Sequence, residues 1–217
     1  MESGDTGTLE VAKEWRGDLG ELILREHTRN IFSGDTNKRF ITYITTITAP
    51  EVDVFFEDSK EGMFALRVRR ELEVASAKPD IILDDNLVPT ERPILNNKNV
   101  TGHYRNSNGV EGYPDVWGKR AKWMELTGSI KGDSISICIF DDPDNLNHPP
   151  HWMARDYGLF AVDPLGSSAF TNGAEHFNYI LKKDKSVTFK YQVVIINGAY
   201  PTPEDIKSLY NNFINNN

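Results

Sequence analysis

The residues best equipped for chemistry crowd into one block, Asn106 to Gly166. It holds three of the four tryptophans (Trp117, Trp123, Trp152), two of the five histidines (His148, His151), Arg155, the acids Asp141, Asp142 and Asp156, and seven glycines. A connecting segment needs no such density, whereas a polar pocket with aromatic walls does.

His148 and His151, in NHPPHW, have the three-residue spacing of a metal pair. Such pairs usually work on a helix or in a finger with further ligands at fixed offsets, and here two prolines lie between them with no cysteine nearby. On an extended Pro-Pro segment the two rings diverge or stack on aromatics, and either can bind ligand or exchange a proton near neutral pH. No metal and no cofactor is expected. Arg155, in RDYG, can hold a carboxylate or a vicinal diol through parallel N–H bonds, or simply pair with a local acid. Asp141 and Asp142 close a strand before a proline turn. They either fix that turn or, with Asp142 as the catalytic group, do acid–base work. Glu61, with Lys60 and Gly62 between two strands, can point into the same cleft as His148 and Arg155. Trp117, in a glycine-bounded loop, is the better sugar-stacking plane and Trp123 the better core residue. Trp152, Tyr157, Lys60 and Arg120 complete the candidate ligand-binding set.

Around that block the chain reads as β-structure. Period-two alternation marks strands at Leu9–Trp15, Glu21–Phe32, Arg39–Thr48, Val52–Phe56, Phe64–Val74, Ala121–Thr127, Ser134–Phe140, Leu159–Val162 and Ser186–Ile196, punctuated by turn residues such as Gly17, Gly20 and Gly34. The fold class is all-β, an antiparallel β-sandwich. Residues 78–106 form an irregular excursion rich in Pro, Asn and Asp. Residues 203–214 form one C-terminal helix, capped by Thr202 with Pro203 at its first position. At 217 residues one domain, 1–217, is the expectation.

The net charge of −8 argues against nucleic acid as a partner, because phosphate binding needs a basic face. The one basic run, Arg67 to Arg70, reads as the solvated face of a strand. Cys138 is the only cysteine, so no intramolecular disulfide exists and a buried thiol is expected. No stretch approaches the ~20 apolar residues of a membrane helix, so no membrane is expected either. The polar start, MESGDTGTLE, is no secretory signal. The chain as written reads as cytoplasmic, and as secreted or periplasmic if its N-terminus is truncated. The residues leave the oligomeric state open.

The series SKEGMFALRV, GYPDVWGKRAKWMELTG and IFDDPDNLNHPPHWMARDYGLFAVDPLG resembles the bacterial family labelled "PmoA" or "methane oxygenase PmoA". The resemblance is strongest from Tyr113 to Gly166. It implies a sandwich similar to the galactose-mutarotase-like supersandwich and an association with sugar catabolism. The label echoes a membrane-bound methane monooxygenase subunit built from spanning helices, which this chain lacks, so methane oxidation does not carry over. Members of that family carry an upstream His-Pro-His-His-Arg-Gly segment. This chain begins after that point; if those histidines supply catalytic or metal groups, the resemblance implies a fragment, a shortened relative or an inactive one. Met153 stands where members often have histidine.

Three readings follow. The first is a carbohydrate-active enzyme performing epimerisation, elimination or hydrolysis, with a sugar stacked on Trp117 or Trp152. In it His148 or His151 exchanges a proton, Glu61 or Asp142 is the carboxylate partner, and Arg155 holds the ligand. The second is a non-catalytic carbohydrate-binding module using the same platform. The third is a metal-dependent oxygenase, for which two histidines and scattered acids are too few ligands.

Overall fold

A computed structural model describes residues 6–77, 83–90 and 97–215. The strands are β1 (Thr6–Arg16), β2 (Leu22–Gly34), β3 (Lys38–Thr48), β4 (Val54–Phe55), β5 (Phe64–Arg67), β6 (His103–Asn106), β7 (Trp123–Ile130), β8 (Asp133–Asp141), β9 (His151–Ala154), β10 (Leu159–Asp163), β11 (Ile180–Leu181) and β12 (Ser186–Asn197). Two helices join them, α1 (Ser167–Phe170) and α2 (Pro203–Asn215). A seven-stranded sheet has the order β1-β2-β3-β12-β8-β7-β6, a three-stranded sheet the order β5-β10-β9, and β11 pairs with β4. All pairings between these strands are antiparallel. The chain is an all-β antiparallel fold with a C-terminal helix.

Alternation along the long strands sorts side chains between two apolar clusters. Phe189, Tyr191 and Val193 of β12, with Ile137 and Ile139 of β8, point inward. They meet Trp152, Ala154, Phe160 and Val162 of the small sheet. Their neighbours Val194, Ile196, Cys138 and Phe140 point outward, under Ile206, Tyr210 and Phe213 of α2. Successive residues serving opposite faces is what a period of two requires when both faces are covered. Phe64 ties the sheets together, its ring 5.0 Å from Tyr43 and 5.4 Å from Tyr191. Cys138 is buried and free, and burial pushes its thiol well up.

The helix end is built as the residues require. Thr202 Oγ1 accepts the Asp205 N–H at 3.2 Å while Asp205 accepts the Thr202 N–H at 2.9 Å, a reciprocal cap. Thr202→Ala is expected to lower stability by about 1 kcal/mol. A urea titration checks it, and an unchanged midpoint would show that packing alone holds α2.

Several expectations are corrected. The Phe64–Val74 strand ends at Arg67 and becomes a 3-10 turn at Arg70–Leu72, which turns Leu72 into the core while Arg69 and Arg70 pair outward with Glu71 and Glu73. Val52–Phe56 contracts to β4. Part of the 78–106 excursion lies outside the described residues, but its last four residues form β6, paired with β7. The alternation pattern marks no strand at His151–Ala154, where the structure has β9. That strand pairs with β10, with all four of its residues buried. Among the described residues no helix is long and apolar enough to cross a membrane.

The small sheet does not cover the whole inner face of the large one. β1 is exposed along almost its full length. Leu9, Trp15 and Phe32, all on the inner face, keep 52%, 44% and 41% of their surface. Part of that uncovered face, at Lys13 and Trp15, is one wall of the cavity described next.

Candidate functional site

A cavity of about 540 Å³ opens between the inner face of β1–β3 and the end of the small sheet. Lys13, Trp15, Glu26 and Tyr43 line it from below, and the segment leading to Met63 and Asp163 closes it from above. Glu61 reaches it from that segment. A larger hollow of about 650 Å³ lies on the outer face beside α2, lined by Phe40, Ile44 and Leu209 among others, but no acid lines it. Of the two, the smaller cavity is the one lined by acids.

Its two buried carboxylates stand in opposite settings. Glu26 sits in phase with Leu24 on β2, so the strand turns it inward, and it keeps only 6% of its surface. Burial works to raise its pKa, but donors outweigh it: Lys13 Nζ at 2.8 Å, Thr28 Oγ1 at 2.7 Å and Trp15 Nε1 at 2.9 Å. The net effect lies below the ordinary value, so Glu26 is held as an anion. The same bond to Glu26 raises Lys13.

Asp163 ends β10 and is fully buried. Burial pushes it up to about 6, assisted by Asp58, and three backbone N–H donors (Leu165, Gly62 and Gly166) only partly offset that. The Leu165 and Gly62 bonds measure 2.9 and 3.1 Å. Two glycines make this seat possible. Gly62 has φ +59°, and a Cβ at Gly166 would lie 2.3 Å from the Ser59 carbonyl and 2.7 Å from Asp163 Oδ2. Tyr191, also buried, has no partner for its hydroxyl among the described residues and is raised by burial and then by Asp141 and Asp163.

The residues singled out by sequence fall into five places. A rim ladder holds three of them: the Arg155 guanidinium lies 4.8 Å over the Trp117 ring, Trp117 lies 5.3 Å from Phe170, and Phe170 stacks on His151 at 5.1 Å. His151 and Met153 share the side of β9 opposite Trp152 and Ala154, and Arg155, the residue after the strand, continues their phase. Arg120 joins the ladder's edge, bonded to the carbonyls of Asn147 and Pro149, to Ser167 and to Glu175. His151 is only 3% exposed. Its Nδ1–H donates to the Gly118 carbonyl at 2.8 Å, which leaves Nε2 as a buried lone pair without a partner among the described residues. Burial lowers its pKa and keeps it neutral.

His148 stands apart. Its Nδ1 bonds Asp141 Oδ2 at 2.5 Å, and Asn145 holds the other Asp141 oxygen at 2.7 Å. Asp142, the acid expected to act, instead accepts the Asp144 N–H in the turn and pairs with Lys190 at 3.3 Å. His148 and Asp142 therefore do not join His151 and Arg155, and the two histidine rings point to different partners.

Glu61 reaches the cavity, and Lys60 is exposed beside it. Tyr157 is exposed on the β9–β10 turn, under the Arg67 guanidinium at 4.9 Å. Trp152 is a correction. It is wholly buried and donates Nε1–H to the Ala121 carbonyl at 2.8 Å, so it is core and not a stacking platform. The exposed indole on the cavity is Trp15. Among the described residues no three His, Cys, Asp or Glu side chains are arranged to hold a metal ion.

Sequence reasoning missed Glu26, Lys13, Trp15 and Asp163. The signal for the first three was present: Glu26 and Thr28 interrupt the apolar phase set by Leu24 and Phe32, and Lys13 interrupts that of Leu9, Val11 and Trp15. Charged residues in the inward phase of a strand mark a wet or functional interior.

The chain resembles a crystal structure from Escherichia coli K12 that carries the provisional name aldose 1-epimerase, at 11% identity and a TM-score of 0.37. The match covers 90% of this chain and 66% of that one, so this chain spans less than two thirds of its length. A comparison with curated proteins gave no match. The sequence profile of DUF6807, a family of unknown function, matches residues 1–211, and the chain belongs to that family.

Proposed function

We propose that the protein is a carbohydrate-active enzyme whose cavity moves protons on a sugar, with Glu26 as the base and Asp163 as the acid. One observation carries this reading: two buried carboxylates line one cavity, and their surroundings drive their pKa values apart. Glu26, held as an anion by Lys13, Trp15 and Thr28, accepts a proton from a hydroxyl or an acidic C–H. Asp163, protonated up to about 6, donates one to a ring or bridging oxygen. Trp15 supplies the apolar plane on which a sugar ring rests, and Lys13 reaches its hydroxyls. Glu61 lies at the cavity mouth as a further acceptor. The Arg155–Trp117 pair, outside this cavity, is a second place for sugar hydroxyls or a carboxylate.

The pH dependence follows from the two shifts. Activity needs Glu26 ionised, so it falls in acid below the lowered Glu26 pKa. It also needs Asp163 protonated, so it falls as pH rises past about 6. A bell-shaped profile with its alkaline limb near that value is expected in assays across aldoses, uronates and glycosides. A rate that instead climbs through this region would reverse the roles of the two acids. Binding is checked separately by thermal shift, where a sugar at one hundred times its dissociation constant adds about 2.7 kcal/mol.

A second reading is favoured by the three N–H donors on Asp163, which also make it a clamp on the loops around Gly62 and Gly166. In that case the cavity is a non-catalytic sugar-binding site. Affinity unchanged between about pH 5 and about pH 8, with no product on long incubation, would select it.

A further inference from the structure

We propose that β1 is a dimerisation edge, and that a second copy of this chain adds its own β1 antiparallel to it, centred on Val11. β1 ends the seven-stranded sheet, so one side of its backbone has no strand to pair with among the described residues. It is eleven residues long, and only Val11 is partly buried. Edge strands are normally guarded by proline, by a bulge or by an inward-pointing charge. β1 has no proline, its one register shift lies at the last pair, Trp15/Arg16, and its inward charge, Lys13, is already held by Glu26 at 2.8 Å. The edge is open to pairing.

The residues say what fits it. With Val11 opposite the partner's Val11, Leu9 faces the partner's Lys13, Glu10 the partner's Ala12, Thr8 the partner's Glu14 and Thr6 the partner's Arg16. No like charges face each other. Centring on Ala12 puts Glu10 against the partner's Glu14, and centring on Lys13 or Glu10 sets that residue against its own copy; facing like charges destabilise strand pairs. Glu10 and Glu14 are also already paired within their own protomer, to Arg29 at 3.7 Å and to Arg16 at 2.6 Å. The Val11 register is therefore the long self-complementary one, and it buries the exposed face of Leu9 against the Lys13 stem.

The cavity gives the arrangement a consequence. Lys13 and Trp15 form its wall on the β1 side, and Trp15 is 44% exposed there. In the dimer the partner's Leu9 lies beside Lys13 and the partner's Gly7 beside Trp15, so the second strand extends that wall. The dimer does not depend on what the cavity binds.

Light scattering across a dilution series of the full chain is expected to show a dimer that dissociates on dilution. Val11→Lys and Val11→Glu should each be monomers with unchanged far-ultraviolet circular dichroism, because each sets two like charges face to face at the centre. Mixed in equal amounts, the two variants should form a heterodimer. Leu9→Lys, at a 52% exposed position, provides a second disruption without risk to the core, since it opposes the partner's Lys13 twice per dimer. A wild-type monomer throughout the series, variants that stay dimeric, or a mixture that remains monomeric would each overturn the proposal. A monomer that captures some other protein's strand at β1 would overturn it too.

Discussion

Asp163→Asn is expected to cut turnover by about 100-fold or more and to erase the alkaline limb of the pH profile, because it removes the only proton the acid can give. The substitution also has a stability signature independent of any substrate. Asp163 is fully buried, and its pKa rises from 3.8 to about 6 on folding. The folded state thus holds this proton more tightly than the unfolded chain. The stability contributed by the group is intact below about pH 4, is lost as pH rises towards and through about 6, and is constant above. The shift corresponds to about 3 kcal/mol. Urea titrations at about pH 4 and about pH 7 should show wild type losing that much more than Asp163→Asn, which has nothing there to titrate. The variant itself should be weaker at the low pH, since its amide NH₂ faces the Gly62 or Gly166 N–H where a carboxyl oxygen stood. Equal pH dependence in the two proteins would remove Asp163 as a titrating group and with it the proposed acid.

Burial decides how much of this was legible in the sequence. β2, β3 and β12 alternate visibly because their two faces meet different surroundings, and their extents were read to within a few residues. β9 was invisible because His151, Trp152, Met153 and Ala154 are all buried, so no alternation survives. β6, four residues long inside a polar excursion, has too few positions to show a period. The density of rare residues between Asn106 and Gly166 did mark the rim where Arg155, Trp117 and His151 meet. Not all of that density meets at the rim: Trp123, as its alternating neighbours indicate, and Trp152 serve the core, and His148 bonds Asp141. Tryptophan and histidine are as useful for filling and pinning a loop layer as for meeting a ligand, and type alone does not separate the two. Asp163, in AVDP, reads like any acid that fixes a turn, and it does accept the Leu165 N–H. Only burial and the nearness of Asp58 distinguish it. The cavity draws on three parts of the chain far apart in sequence, β1–β3, the 54–63 segment and the end of β10, which no local pattern could join.

Glu26→Gln is the sharper test of the other half of the pair. Four donor-rich groups are arranged for an anion: Lys13, Trp15 and Thr28 bond it directly, and Thr28 leans on Thr45 at 2.8 Å. Glutamine keeps the size but offers one acceptor oxygen and an NH₂ that must face a donor, so stability should fall by about 1–3 kcal/mol. Lys13 is half exposed and swings to water, which keeps the loss at the lower end. Turnover should fall by about 100-fold or more, since an amide cannot take up a proton at any pH in the working range. A structural role alone would also lower stability, so Lys13→Met separates the two. Removing that ammonium withdraws the hydrogen bond and charge that lower Glu26, and its pKa must rise. The acid limb of the activity profile is then expected to move to higher pH in Lys13→Met while the alkaline limb, set by Asp163, stays in place. An acid limb that does not move, in a variant that still folds and turns over, would mean that Glu26 holds the cavity together without exchanging a proton in it.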